Sequence, residues 1–218
     1  MIALEGVRVT YRRTVALHGL DLLLMPGVTG LFGPNGSGKS TLLRVLAGLL
    51  RPGGGTVTWG GIPLNISDEA FRARVGYAGH ESGLYDRLSV RENLELFGAL
   101  HGVDAVRVEE MLELVGLQDR GCSPAGELSA GLRRRAAVAR ALLHEPQLLL
   151  LDEPYANLDD DGAGKVSDAI KAWRAPGRMG LVATHGAKRV KGFADATIIL
   201  QHGKIVSYRV RTPAEAPT

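Results

Sequence analysis

The stretch Gly33–Ser40, GPNGSGKS, matches G-x-x-x-x-G-K-[ST] in full. Residues of these types at this spacing bind phosphate. Gly33, Gly36 and Gly38 let the backbone fold tightly around oxygen atoms and aim its N–H groups inward, with Pro34, Asn35 and Ser37 between them. Lys39 offers a cation to the β- and γ-phosphates of a nucleotide, and the Ser40 hydroxyl offers a ligand to Mg2+. A helix opening near Lys39 and running through Ser40 and Thr41 turns the positive end of its dipole on the same phosphates.

A second cluster closes the run LLLLDE. Asp152 follows four leucines, Leu148–Leu151, at the carboxyl end of what reads as a buried central strand. There it can hold Mg2+, directly or through water. Glu153 comes next and is placed to polarise a water attacking the terminal phosphate. His185 ends another apolar strand, GLVAT, where a lone histidine is more often structural. Ser129 and Gly131 open a helix and can present a hydroxyl, N–H groups and a dipole to a phosphate, although Ser129 reads first as a helix cap. Tyr11 reads equally as a half-exposed strand aromatic.

The elements that must carry these residues follow from periodicity. IALEGVRVTY and GTVTW alternate as strands, and GVTGLFG is a buried strand ending at Gly33. A helix from Ser40 to Leu49 carries Leu42, Leu43, Val45, Leu46 and Leu49 at helical spacing, with RPGGG at Arg51–Gly55 as its stop. Ser89 and Glu92 form a capping box before Val90, Leu94, Phe97 and Leu100. Asp104 caps a second helix that Gly116 stops, and Ser129 a third with Ala137, Val138, Ala141 and Leu142 inward. Strands then return, ending in a hairpin, ATIILQHGKIVSYR, that turns at His202–Gly203. The pattern predicts an α/β core with a helical insertion between about Leu84 and Leu143, and a frayed tail over 212–218.

Bulk properties narrow the function classes. The chain has 218 residues, 45% hydrophobic and 22% charged, which is ordinary globular composition. A net charge of +3 with scattered basic residues gives no argument for nucleic acid. The one dense run, Arg133–Arg134–Arg135, reads as a solvated helix face. Cys122, the single cysteine, permits no internal disulfide, which fits a reducing cytoplasm, and no activating base stands near it in sequence. The N-terminus lacks the pattern of a signal peptide, and no apolar run approaches a membrane span. Any work at a membrane then requires another subunit to do the spanning.

Over nearly its whole length the chain resembles the nucleotide-binding domain of ATP-binding cassette (ABC) transporters. GPNGSGKS resembles the Walker A motif and LLLLDE the Walker B motif with its catalytic glutamate at Glu153. LSAGL, Leu128–Leu132, is similar to the family signature LSGGQ, matching at Leu128, Ser129 and Gly131 and departing at Ala130 and Leu132. ANLD, Ala156–Asp159, matches the D-loop, His185 the switch histidine, and Tyr11 the aromatic that stacks on adenine. The resemblance implies one ABC ATPase domain with a P-loop NTPase (RecA-like) core. The core and an antiparallel β subdomain would occupy 1–80 and 144–211, and an inserted α-helical subdomain about 84–143. It also implies ATP as substrate, Mg2+ on Ser40 and Asp152, and a homodimer in which each signature closes over the other copy's ATP while Asp159 couples the two sites.

Where the family usually carries a Q-loop glutamine, this chain has His80, in GYAGHESGLYDRLSVRENL. Mg2+ prefers oxygen ligands, so His80 reaches the metal through water, or hydrogen-bonds the attacking water or phosphate. The alternative is a strand-end residue that never meets nucleotide. The GH pair, the LSAG signature followed by arginines, LDEPYANLD and the short chain are all similar to the haem exporter ATPase family of cytochrome c maturation, CcmA. That resemblance implies a CcmB-like membrane partner with CcmC- and CcmD-like subunits, and a peripheral position on the cytoplasmic face of the inner membrane. Leu84, Tyr85 and Leu88 are the exposed apolar candidates for docking. The ATPase of a drug, lipid or polysaccharide exporter is the main alternative. A soluble cassette acting on ribosomes or DNA fits less well, since such proteins carry paired cassettes or a long coiled coil. The intact Lys39, Asp152, Glu153 and His185 argue against a binding module without turnover.

Overall fold

A computed structural model describes residues 1–65 and 68–211. The tail expected over 212–218 lies outside the described residues. Two sheets form. The antiparallel one has the order β2-β1-β4-β5, from β1 (Ile2–Tyr11), β2 (Thr14–Leu24), β4 (Gly54–Trp59) and β5 (Ile62–Pro63). The larger has the order β10-β9-β3-β8-β7-β6, from β3 (Gly27–Phe32), β6 (Val75–Ala78), β7 (Leu148–Asp152), β8 (Met179–Ala183), β9 (Ala196–Gln201) and β10 (Lys204–Val210). Its central strands pair in parallel, and β10 turns back antiparallel on β9 through the expected hairpin.

The helices are α1 (Lys39–Leu46), α2 (Glu69–Arg72), α3 (Val90–Ala99), α4 (Ala105–Leu114), α5 (Ala130–Leu142), α6 (Asp160–Trp173) and α7 (Ala187–Lys191). The α/β expectation holds. So do the three caps. Ser89 and Glu92 bond reciprocally as a capping box, Asp104 accepts from Arg107 N–H, and Ser129 accepts from Leu132 N–H. One boundary differs. The first helix ends at Leu46 rather than Leu49, because Gly48, at φ 70°, takes the left-handed turn that releases the chain before RPGGG is reached. Leu49 is thereby left 61% exposed rather than buried. Helix α6 adds an element that the sequence patterns did not call for; Ala163, Val166, Ile170 and Trp173 form its buried side.

The four leucines of β7 explain the layering. Successive strand residues face opposite ways. Leu149 and Leu151 join the core under α3–α6, with Val138, Leu142, Val166 and Ile170. Leu148 and Leu150 join the other core, with Leu42, Leu43 and Leu46 of α1 and the antiparallel sheet. A strand covered on both faces has no polar side, so its polar residue, Asp152, can appear only at its end.

The arginine run is not a solvated face. Successive helical residues rotate by about 100°, so three in a row cannot share one side. Arg134 is 7% exposed, while Arg133 donates to the Gly126 carbonyl and Arg135 to those of Val115 and Gly116. The docking candidates also divide. Tyr85 is 57% exposed, whereas Leu84 packs against the core and Leu88 is only half-exposed. The reason is Asn93 on α3, fully buried, whose amide bonds Tyr85 N–H and the carbonyls of Tyr85, Leu88 and Ser89 and folds this loop inward.

Candidate nucleotide site

Gly33–Gly38 bridges β3 and α1, as the strand-loop-helix pattern requires. Two glycines are obligatory on steric grounds. A Cβ at Gly33 would strike the Leu200 carbonyl, and Gly38, at φ 105°, would place one 2.8 Å from the Ala16 carbonyl. Pro34, Asn35 and Gly36 are exposed at the tip, while Ser37 is buried, its Oγ without a hydrogen-bond partner among the described residues. Lys39 is 7% exposed and its ammonium lies over the loop, on the Gly33 carbonyl at 2.7 Å and the Pro34 carbonyl at 3.1 Å. Ser40 is exposed at the helix start and Thr41 is half-buried behind it.

Asp152 ends β7 at 3% exposure. Glu153 departs from the strand at φ 51°, a left-handed conformation that a non-glycine residue rarely holds. Its N–H is tied to the Ala183 carbonyl at 2.7 Å, and its carboxylate meets His185. The His185 N–H donates to Oε1 at 3.0 Å, and Nδ1 lies 3.0 Å from Oε2. The carboxylate is mostly covered, with 18% of its side chain exposed, and the imidazole is open at 73%. Thus the lone strand-end histidine and the second acid of LLLLDE, distant in sequence, form one unit, a contact that the sequence reading did not anticipate.

Other assigned residues are held by local contacts of their own. Asp159 caps α6, accepting from Gly162 N–H at 2.8 Å. Ser129 caps α5 at 3.3 Å, and no hydrogen bond described for it reaches Gly33–Ser40. Leu128 is buried, Ala130 exposed, and Gly131 and Leu132 half-buried. Gly131 must remain small, since a Cβ there would stand 2.5 Å from the Asn157 carbonyl. The signature and the D-loop therefore touch within one chain, and Asn157 holds φ 61° at the contact. Tyr11 is 43% exposed at the end of β1. His80 is exposed beyond β6 and shares a cleft with Tyr11, Arg44, Tyr77 and Gly79.

Two residues of this region escaped the sequence reading. Arg44 of α1 lines that cleft with Tyr11 and Tyr77, and interaction with the Tyr77 hydroxyl, and then that of Tyr11, raises its guanidinium above the usual arginine value. Burial pushes the Tyr77 hydroxyl up from its ordinary value, against the pull of Arg44. Arg134 donates to the carbonyls of Gly79 and Asp152, each at 2.5 Å. Burial holds its guanidinium below the usual arginine range, with the charges of Asp152 and Glu153 acting the other way. The sequence indicates that the three arginines cannot share one side of a helix, but not which of them turns inward.

The chain is similar to known proteins. The ABC transporter family matches residues 17–156. Over the whole chain it is 36% identical to the daunorubicin resistance ATP-binding protein DrrA3 of Streptomyces coeruleorubidus, of which it covers 70%. It is 40% identical to the cytochrome c biogenesis ATP-binding export protein CcmA of Cupriavidus necator, over 85% of this chain and 83% of that one. It is 42% identical to CcmA of Rhodospirillum rubrum, over 77% of this chain and 72% of that one. Among solved structures, the ATP-binding cassette MJ0796, a dimer in a post-hydrolysis state with ADP and Pi, superposes with a TM-score of 0.89 at 27% identity. The match covers 97% of this chain and all of that one. The glycine-rich loop, the acid pair and the histidine that meets it thus stand in a chain that belongs to the ABC transporter family, as an ATP-binding subunit that hydrolyses ATP.

Proposed function

We propose that the chain energises the cytochrome c maturation complex, as the ATPase that drives CcmB-like and CcmC/CcmD-like membrane subunits from the cytoplasmic face of the inner membrane. The observation that carries this reading is the higher identity to two CcmA proteins than to the drug-resistance and Nod-factor export relatives. His80 and the LSAG signature agree with it. The other reading, an ATPase for drug or lipid export, is favoured by the DrrA3 match along the entire chain. Among the described residues no helix is long and apolar enough to cross a membrane.

The mechanism is shared by both readings. Two copies pair head to tail, each ATP lying between Gly33–Thr41 of one and Leu128–Leu132 of the other. Tyr11 carries the adenine. Lys39 leaves the loop carbonyls for the β- and γ-phosphates. Ser40 and Asp152 are oxygen donors and fit Mg2+, which when bound supplies charge neutralisation at the phosphates. Glu153 takes a proton from the attacking water as its oxygen bonds the γ-phosphorus and the bond to ADP breaks. His185 orients that carboxylate and meets the γ-phosphate, and Asp159 relates the two sites across the interface. The helices within about 84–143 act as an inserted subdomain packed on the core of 1–80 and 144–211, and the loop after His80 carries its movement to the membrane partner. Complementation tests the cargo. In a bacterium lacking its CcmA-type ATPase, this chain, expressed with its own membrane subunits, restores covalent haem in c-type cytochromes, and its E153Q variant does not. Failure of the parent together with export of a drug in the same host would select the other reading.

A further inference from the structure

Arg134 is the one member of the arginine run held inside the protein, at 7% exposure. Its two terminal nitrogens reach adjacent strand ends. One donates to the carbonyl of Gly79, next to His80, and the other to the carbonyl of Asp152, next to Glu153, each at 2.5 Å. The pairing of β6 with β7 runs from Val75↔Leu148 to Ala78↔Leu151 and stops. The two carbonyls are those of the next residue on each strand. A single guanidinium therefore continues the spacing of the two strands at the step where their ladder has ended. The same side chain stands on α5, five residues after Ser129.

This arrangement is costly as mere packing. A buried charge loses its hydration, and a well-packed apolar side chain of similar size usually serves stability as well or better. A fork of two parallel donors does something that an apolar side chain or a lysine cannot. It fixes the distance between two acceptors.

We propose that Arg134 is a positioning residue for ATP hydrolysis, whose guanidinium sets the gap between the strand end that carries His80 and the one that carries Asp152 and Glu153, and joins both to the helix begun at Ser129. It touches no reacting atom. It acts through the backbone on which the acid pair and His80 are mounted. Movement of α5, whose first residues are those assigned to the partner's ATP, is thereby passed to the strand ends through one buried side chain anchored at both terminal nitrogens. The inference rests on the assignment of Glu153 as the base and is independent of the cargo.

The test uses R134K, R134Q and R134M in the full chain. Thermal melting, equilibrium binding of trinitrophenyl-ATP, and kcat per binding-competent site are measured for each. R134K keeps the charge but not the fork. We expect R134K and R134Q to bind nucleotide within about threefold of the parent while kcat falls by about 10- to 100-fold, the scale of a misplaced reacting group. Amide exchange without nucleotide rises in R134K over Gly79–Gly83 and Asp152–Tyr155. Parental kcat in R134K, or unchanged exchange in both segments, overturns the proposal. So does a loss of turnover that merely tracks loss of binding-competent protein. If R134Q does not fold, R134M fills the site without donating, and a folded R134M with parental kcat overturns the proposal equally. E153Q is assayed alongside. Normal turnover there removes the base assignment itself, an outcome distinct from any result at Arg134.

Discussion

His185 holds the Glu153 carboxylate at both ends, its N–H on one oxygen at 3.0 Å and its Nδ1 3.0 Å from the other. The backbone of Glu153 is held at φ 51° with its N–H on Ala183, so the acid is fixed from its main chain as well as from its tip. A group constrained in this way can accept a proton without first being ordered. Glu153→Gln preserves the shape and the bond from His185 N–H but removes the basic oxygen. Turnover should fall by about 100-fold or more, the usual contribution of a general base, while ATP binding persists. Single-turnover phosphate release checks this, and near-parental release would show another base.

His80 stands exposed at the edge of the cleft it shares with Tyr11 and Arg44. A glutamine there offers an oxygen, a better match to Mg2+ or to the attacking water. His80→Gln is expected to retain at least about a tenth of parental kcat, a change of no more than 1.4 kcal/mol in the barrier. Complete loss of turnover in a folded, ATP-binding variant would mean that imidazole does something glutamine cannot.

Gly131 leaves no room for a side chain against the Asn157 carbonyl, at 2.5 Å from the position of a Cβ. Gly131→Ala must separate the start of α5 from the D-loop. Overpacking of this kind costs about 1–3 kcal/mol. A lower urea midpoint with an unchanged slope would record it, and an unchanged midpoint would show that the two loops part freely.

His144 stacks on His101 with ring centroids 3.9 Å apart, and its Nε2 is buried without a partner among the described residues. Burial, and then the His101 charge, lower it from 6.5 to about 4. The unfolded chain therefore takes up this proton first as the pH falls. Stability contributed by the neutral ring is complete above about 6.5 and is lost progressively as the pH drops towards 4. His144→Gln, which does not titrate, should flatten the fall in melting temperature across that window. A parallel fall in both proteins would place the acid sensitivity elsewhere.

Tyr85 is stacked on Phe97 with centroids 6.1 Å apart and remains largely exposed. Its ring, rather than the side chains of Leu84 and Leu88, is the apolar surface this loop can give to a membrane subunit. Tyr85→Ser is expected to reduce co-purification with that subunit several-fold. Unchanged recovery with normal coupled activity would exclude the loop from docking.

Much of this protein was determined by its sequence alone. The phosphate loop, the acid pair, the three helix caps and the closing hairpin are each encoded within a few consecutive residues, because glycine conformation, capping and strand alternation are local properties. Other features required the tertiary structure. Gly48 rather than RPGGG ends α1, since a helix stops at the first left-handed turn the packing can use. The contact of His185 with Glu153 spans 32 residues and exists only because β7 and β8 are parallel neighbours whose ends coincide. Asn93 turns Leu84 inward through bonds to a loop that no periodicity describes. Arg134 is the sharpest case. As sequence it is one charge among three, and only the meeting of α5 with the ends of β6 and β7 gives it two carbonyls to hold. Local patterns specify which groups are present, whereas the direction of a long side chain depends on acceptors supplied by distant strands.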